Sequence, residues 1–307
     1  MQHLLEPQRQ LSRQWPLLLA AACKRSRQHQ NFWQTIAWSD VSAETLARYC
    51  QMFDFQTTIR PLTSYFLPIQ RAQLYAMLNN RFGFSPVGLV HIENNMQIHV
   101  DWSALQRQTT QQSLQLSTLV ELLPMADNGR QICRFQSFLH PSFWMFPEHP
   151  MQLPNVLLSC QSDYLIPSKR QSNRSSSDKT KSTLQIKPEQ ATALATWQLS
   201  RRQGYDYAQL SGDLNPIHLS QWSARLFGQK QAIIHGMHTV AMIEARLLGA
   251  SSAQIPRFDR QTPSLQKLSV QFKKPLPLGE QAHLFLSHAE SGSVWQQDNL
   301  VLNYQFC

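Results

Sequence analysis

Apolar and polar residues alternate along much of the C-terminal third of the chain. The alternation has a period of two, as expected of strands with one buried face, in residues 265–279, 281–290 and 294–306. A largely apolar segment at 233–249 precedes them and ends in Gly249, which predicts a long helix with a glycine at its end. Residues 218–228 predict a shorter helix that stops at Gly228. This part is therefore predicted to be a long helix followed by an antiparallel meander.

The N-terminal part repeats this arrangement less clearly. Residues 67–82 predict a helix, and residues 87–100 predict either two strands or one bent strand. Residues 112–125 and 129–140 alternate as strands do. Since both parts place a helix before strands, the pattern indicates a diverged internal repeat.

A polar, basic segment separates the two parts. Residues 167–183 contain five Lys or Arg and one Asp, and no large apolar residue. This composition is typical of a solvated linker. The predicted division is an N-terminal half at 1–166, a flexible linker at 167–183 and a C-terminal half at 184–307.

The charge of the chain suggests anionic partners. The 307 residues include 28 Lys or Arg and 19 Asp or Glu, which gives a net charge of +9. Nucleic acid, an acidic membrane surface and a phosphorylated small molecule would all suit such a charge. Four of the nine net charges lie in the linker, which has no aromatic residue to stack on bases, so no nucleic-acid partner is expected. No run of about 18 apolar residues is present, so no membrane insertion is expected either.

The cysteines argue against a disulfide framework and against a zinc site. There are five of them, far apart in the sequence and without a C-x-x-C pair. Reduced thiols in the cytoplasm are the expected state, and no metal is expected. Residues 17–28, which begin with a short apolar run and end in basic and polar residues, are interpreted as an amphipathic helix in preference to an export signal.

Candidate chemistry is concentrated in YAQLSGDLNPIHLS, residues 207–220. Asp213 and His218 are separated by an Asn-Pro turn. Pro216 would end any helix begun before it and suits the first turn of the next. Carboxylate and imidazole can then converge on one water as a general acid/base pair. The alternative from spacing alone is that Asp213 or Asn215 only caps the next helix and that His218 is solvated.

The same segment resembles the hydratase motif of the MaoC-like family, the (R)-specific enoyl-CoA hydratases and acyl-thioester dehydratases. The residues that match in order are Ser211, Gly212, Asp213, Asn215, Pro216, His218, His235, Gly236 and Met237. The later run VQFKKPLPLGE, residues 270–280, also resembles a segment of that family. The resemblance covers about 205–290 well, and a looser one extends to residues 61–99.

This resemblance implies an α+β fold of the double hot-dog type. Each half would be a long central helix wrapped by a curved antiparallel sheet. The N-terminal half has no equivalent of the SGD-x-NP-x-H motif. One active site per chain, in the C-terminal half, is therefore expected.

The implied reaction is the reversible hydration of a trans-2-enoyl thioester to an (R)-3-hydroxyacyl thioester, without a cofactor. By resemblance, Asp213 would be the main base, His218 would share proton transfer, and Asn215 would orient the pair. The backbone N–H of Gly236, near a helix start, would stabilise the developing charge on the thioester oxygen. His235 and His238 flank this position and are interpreted mainly as hydrogen-bonded packing residues.

Two lysines and three aromatic residues are secondary candidates. Lys273 and Lys274 would meet the phosphates of coenzyme A or of an acyl-carrier phosphopantetheine, or would simply be exposed charges at a strand end. The three aromatic residues would line an acyl tunnel or pack the junction of the halves. They are Phe143, Trp144 and Phe146.

The sequence leaves three alternatives open. The substrate could be an acyl-CoA or an acyl-carrier-protein thioester. The chain could instead be a non-catalytic thioester-binding or regulatory member of the same fold. A homodimer is a further alternative, although two hot-dog units in one chain already supply the pairing that single-unit members obtain by dimerising.

Overall fold

The computed structural model describes residues 28–55, 60–86, 88–111, 113–141, 155–166, 191–250, 264–288 and 290–307. The strands are β1 (Phe32–Ala37), β2 (Val90–Ile98), β3 (Leu114–Leu122), β4 (Gln131–Pro141), β5 (Leu158–Ile166), β6 (Thr192–Gln198), β7 (Lys267–Phe272), β8 (Gln281–His288), β9 (Ser291–Gln296) and β10 (Asn299–Phe306). The helices are α1 (Ala43–Phe53), α2 (Phe66–Leu78), α3 (Trp102–Gln111), α4 (Gln203–Ser211), α5 (Pro216–Leu219), α6 (Gln221–Leu226) and α7 (Gly236–Gly249), and a 3-10 turn at Leu62–Tyr65 leads into α2.

The described strands form one antiparallel sheet with an internal symmetry. Its order is β1-β3-β4-β5-β2-β7-β10-β9-β8-β6, so each half of the chain contributes five adjacent strands. Read outward from the centre, β2-β5-β4-β3-β1 on one side matches β7-β10-β9-β8-β6 on the other. In each half the first strand lies at the outer edge and the second, which follows the long helix, lies at the centre. This topology agrees with the internal repeat predicted from the sequence.

The two halves meet where β2 pairs with β7. The pairing runs from Glu93 opposite Gln271 to Gln97 opposite Lys267, which makes the sheet continuous across the junction. One of the buried cores includes Met96 of β2, Leu268 of β7, Ile69 of α2 and Val240 of α7. Burial of apolar side chains in such a core is the main favourable contribution to the stability of the fold.

The central helix α7 is hydrophobic on most sides because it is enclosed. Nine of its residues are buried, including the charged side chain of Glu244. The carboxylate of Glu244 accepts hydrogen bonds from the backbone N–H groups of Leu62, at 2.7 Å, and Thr63, at 2.9 Å. These N–H groups open the 3-10 turn and would otherwise lack partners in their own helix. Glu244 therefore links the central helix of one half to the start of α2 in the other.

Several predicted elements differ in detail from the observed ones. Residues 294–306, predicted as one strand, contain the end of β9, a tight turn at Gln297 with φ of +54°, and β10. The helix predicted at 218–228 is two short helices, because Ser220 adopts extended backbone and caps the second. Residues 87–100 contain one strand, β2, with an irregularity between His91 and Glu93.

The α+β class is confirmed by this arrangement of helices and sheet. The predicted linker at 167–183 and the aromatic residues at 143–146 lie outside the described residues, as does the predicted helix at 17–28 except for its last residue. Among the described helices, none is long and apolar enough to cross a membrane.

Candidate active site

Asp213 lies in a four-residue loop between α4 and α5. The loop starts at Gly212, whose φ of +79° ends α4 in the left-handed conformation that glycine adopts most readily. The backbone N–H of Asp213 donates to Ser211 Oγ at 3.2 Å. Its side-chain Oδ1 accepts from the backbone N–H of Asn215 at 3.2 Å, so the loop fixes the carboxylate locally.

Asn215 and Pro216 start the next helix and thereby place His218. The Asn215 Oδ1 accepts from Ile217 N at 3.4 Å, and Pro216 occupies the first turn of α5. His218 is only 8% exposed, and its Nδ1 donates to the carbonyl oxygen of Ile233 at 2.9 Å. That hydrogen bond fixes the proton on Nδ1 and leaves Nε2 as an acceptor. The side chain of Asn215 thus acts as a helix cap, which positions His218 through the backbone.

His235 completes a three-residue cluster. It immediately precedes α7, and its Nε2 donates to the backbone oxygen of Asp213 at 3.0 Å. Its ring stacks on that of His218, with 3.8 Å between centroids. The carboxylate of Asp213 and one ring nitrogen of each histidine lie within 4.8 Å of one another. Sequence reasoning had assigned His235 mainly to packing, whereas the structure brings it into the cluster.

Burial determines the protonation of the two histidines. Desolvation lowers the pKa of His218, while the nearby carboxylate of Asp213 and the Ile233 hydrogen bond oppose the shift. The pKa of His235 is held well below its ordinary value, first by burial and then by His218. Both imidazoles are therefore neutral near pH 7, and each holds one fixed proton and one lone pair.

A metal ion would suit this cluster less well than a water molecule. Two imidazoles that bind one metal direct their lone pairs at a single point from separated positions. Here the rings of His218 and His235 are stacked, with 28° between their planes, so their lone pairs do not converge in that way.

The N-terminal half contributes a residue that sequence reasoning missed. Gln70 lies in the second turn of α2, and its Nε2 donates to Asp213 Oδ2 at 3.0 Å. Asp213 also raises the pKa of Tyr164 on β5, after the larger effect of burial. No local motif marks Gln70, because its role depends on the contact between the two halves.

Gly236 and the two lysines lie around the first turn of α7 and the end of β7. A side chain at Gly236 would meet the ring of Phe272 at 2.9 Å, so the packing there requires glycine. Lys273 and Lys274 follow Phe272 directly and are exposed. Their ammonium groups donate to neutral side-chain oxygens, Lys273 to Gln271 and Lys274 to Asn299. Neither ammonium is engaged in an ion pair with the described residues.

The part of the chain that carries this cluster is similar to a known protein family. The family model described as a MaoC-like domain matches residues 180–305. The matched stretch is less than half of the chain, includes Asp213, His218 and His235, and is similar to the MaoC-like family. The chain is similar to 3-hydroxyacyl-thioester dehydratase X of Mycobacterium tuberculosis, with 30% identity over 134 residues that make up 44% of this chain and 44% of that protein. The aligned segment thus spans less than half of that relative.

Solved structures extend the likeness beyond the MaoC-like domain to most of the chain. The crystal structure of HtdX of Mycobacterium tuberculosis covers 90% of this chain and 99% of its own, with a TM-score of 0.63 and 17% identity. A MaoC-like dehydratase from Phytophthora capsici covers 91% of this chain and 95% of its own, with a TM-score of 0.52 and 15% identity. At such identities the comparison concerns the fold alone, and it confirms the predicted double hot-dog architecture.

Proposed function

We propose that this protein catalyses the reversible hydration of a trans-2-enoyl thioester to an (R)-3-hydroxyacyl thioester. The observation that carries the proposal is the contact cluster of Asp213, His218 and His235 within a MaoC-like domain. A carboxylate and a neutral imidazole side by side can hold one water and exchange protons with it. The name of the M. tuberculosis relative, a 3-hydroxyacyl-thioester dehydratase, supports the same class of reaction.

In the hydration direction, the water oxygen forms a bond to Cβ of the enoyl thioester while Asp213 accepts one of its protons. The neutral imidazole of His218, whose Nδ1 proton is held by Ile233 and whose Nε2 carries the lone pair, shares this proton transfer. The electron pair of the double bond moves toward the thioester oxygen. A proton then passes from Asp213 to Cα, which restores the carboxylate and completes the addition of water. Dehydration follows the same steps in reverse.

The first turn of α7 supplies the electrostatic part of this mechanism. The first N–H groups of a helix lack intrahelical partners and lie at the positive end of its dipole. The N–H of Gly236 is one of these, and the stacked side chain of His235 lies directly before it. Directed at the developing enolate oxygen, such a donor typically lowers the barrier by about 3 kcal/mol.

Two positive charges near this helix start suit a substrate carrier that bears a phosphate. The ammonium groups of Lys273 and Lys274 each donate to one neutral oxygen and can also bind a phosphate, which both coenzyme A and a carrier-protein phosphopantetheine provide.

We place the working site in one chain, with 1–166 and 184–307 as its two halves and 167–183 as the linker between them. Dispersed free cysteines, four of them among the described residues, fit a reducing cytoplasm.

The decisive experiment measures water addition to a series of trans-2-enoyl-CoAs of increasing chain length. Asp213→Asn should abolish turnover and leave the far-ultraviolet circular dichroism unchanged. Asp206→Asn is the matched control, since Asp206 lies on α4 in an exposed pair with Arg202 and outside the cluster. Equal rates for the wild type and Asp213→Asn would refute the proposal. Thioester binding without turnover at any chain length would instead favour a binding protein.

A further inference from the structure

The amide of Gln70 reaches the carboxylate of Asp213 from the half of the chain that has no catalytic motif. Its Nε2 lies 3.0 Å from Asp213 Oδ2, across a sequence separation of 143 residues. The other carboxylate oxygen, Oδ1, already accepts from Asn215 N at 3.2 Å. Each oxygen of Asp213 therefore has one fixed donor, one from each half. A carboxylate held in this way can neither rotate nor turn away from a bound water.

The other end of the same amide has an unmet requirement. Gln70 Oε1 is buried and accepts no hydrogen bond from the described residues. An unpaired buried acceptor is unfavourable, so a site of this kind suits a ligand that brings its own donor. Within one amide group the oxygen lies about 2.3 Å from the nitrogen, so Oε1 lies no more than about 5 Å from Asp213 Oδ2, a separation that one water can bridge.

A water molecule matches this pair of acceptors. It has two O–H groups, one for Asp213 Oδ2 and one for Gln70 Oε1, and its lone pairs stay available for bond formation to carbon. The side chain of Gln73, one turn further along α2, has no such unpaired acceptor. Its Nε2 donates to Ser162 Oγ at 3.1 Å, and its Oε1 accepts from the Tyr164 hydroxyl at 3.2 Å.

We propose that Gln70 is a positioning residue for the hydration reaction, which anchors the Asp213 carboxylate through its N–H groups and orients the reacting water through its carbonyl oxygen. The inference rests on the proposed function, because it assigns a role within the same site. The amide neither gains nor loses a proton in the reaction. The half without a catalytic motif thus supplies part of the catalytic geometry.

The pH profile separates this role from a purely structural one. A hydrogen bond donated to a carboxylate favours its ionised form, so loss of the Gln70 donor should move the acidic limb of the activity profile to higher pH. The titratable groups that face Asp213 are His218 and His235, together with Tyr164 on β5 and Tyr207 on α4. None of them is removed by a substitution at Gln70.

The test compares Gln70→Met, which keeps the side-chain length without its polar atoms, with Gln34→Met. The Nε2 of Gln34 also contacts α2, by donating to Ala72 O at 3.4 Å, but lies outside the site. We expect Gln70→Met to lower kcat for enoyl-CoA hydration about 10- to 100-fold with little change in KM. The acidic limb of its pH profile should move to higher pH, and Gln70→Glu should move it further because two carboxylates then share the site. Gln34→Met should change neither quantity.

Two results would overturn the proposal. One is a Gln70→Met enzyme within twofold of the wild-type kcat. The other is a loss of activity accompanied by a lower melting temperature and an unmoved acidic limb, which would identify a packing role. Wild type and Asp213→Asn are measured in the same assay. If the wild type hydrates the substrate and Asp213→Asn does not, a silent Gln70→Met refutes the role of Gln70 alone; if the wild type has no activity, the proposed function fails and this role fails with it.

Discussion

Glu244 on α7 accepts a 2.7 Å hydrogen bond from the backbone N–H of Leu62, 182 residues away in the other half of the chain. The same carboxylate accepts from Thr63 N, and the Thr63 hydroxyl in turn accepts from Tyr49 at 2.7 Å. Burial raises the pKa of Glu244 to about 7, and the hydrogen bonds from Thr63 and Leu62 oppose this shift. A titratable group thus lies at the junction of the two halves.

Glu244→Gln should remove a pH dependence of stability. The pKa of Glu244 is higher in the folded state, about 7, than its ordinary value of 4.5. Its contribution to stability is therefore fully present below about pH 4.5 and is lost as the pH rises through about 7. As the pH rises over this range, the free energy of unfolding of the wild type should fall by about 1–3 kcal/mol relative to that of Glu244→Gln. Urea unfolding at pH 5, 6, 7 and 8 measures it.

Glu44→Gln, at an exposed position in the first turn of α1, is the control for loss of a carboxylate in general. A constant difference between wild type and Glu244→Gln across the four pH values would contradict the prediction.

His91→Phe should stabilise the protein in acid. His91 stacks on Tyr164, with 4.7 Å between centroids, and lies 5.2 Å from the ring of Phe272. Burial lowers its pKa to about 4, from an ordinary value of 6.5. The wild type therefore loses stability as the pH falls from about 6.5 toward 4, by about 2 kcal/mol at pH 5 relative to pH 8.

Phenylalanine keeps the aromatic packing and does not titrate. The variant should unfold at a higher urea concentration than wild type at pH 5, and the difference between the two urea midpoints should be smaller at pH 8. A gap of the same size at both pH values would show that packing alone is responsible.

Gly236→Ala should be destabilising, and a smaller residue at 272 should relieve the effect. The added methyl group would lie 2.9 Å from ring atoms of Phe272. Overpacking of this kind typically costs about 1–3 kcal/mol. We expect Gly236→Ala to lose most of its hydratase activity as the start of α7 shifts.

In the background of Phe272→Leu, the same substitution should cost less than about 1 kcal/mol, and a double-mutant cycle of thermal unfolding quantifies the coupling. Additive losses would show that the clash is not the cause.

Lys273→Gln combined with Lys274→Gln should weaken substrate binding without changing the chemical step. Exposed charges of this kind contribute little individually, so a rise in KM of about fivefold with constant kcat is expected for an acyl-CoA. The effect should shrink as the salt concentration rises, because screening weakens the attraction in the wild type. Lys267→Gln, at the other end of β7, is the matched control. An equal change in KM for Lys267→Gln, or none for the double variant, would contradict a phosphate contact.

The parts of this structure that local pattern determines could be predicted from the sequence. Alternation of apolar residues identified β3, β4 and β8, and the Asn-Pro turn indicated that Asp213 and His218 could converge. Helix α4 was not among the predicted elements. The hairpin between β9 and β10 was also missed, because apolar residues continue on both sides of Gln297.

Contacts between distant segments could not be predicted in this way. The bond from Gln70 to Asp213 and the bonds from Leu62 and Thr63 to Glu244 join residues more than 140 positions apart. No periodicity or spacing records them, since they arise only when both halves have folded against each other. The stacking of His235 on His218 depends on the path of residues 233–235, which were predicted as the start of the long helix but precede α7.

The pairing of β2 with β7 has a consequence for protein engineering. Each half covers a strand edge of the other, so a fragment that starts near residue 180 would expose the full length of β7 as an open template for aggregation. The unit recognised by the family model is thus smaller than the unit that can be exchanged between proteins. A chimera that replaces residues 180–305 needs a matching β2 and α2 from the same parent, or it will become prone to aggregation and lose the shared geometry around Asp213.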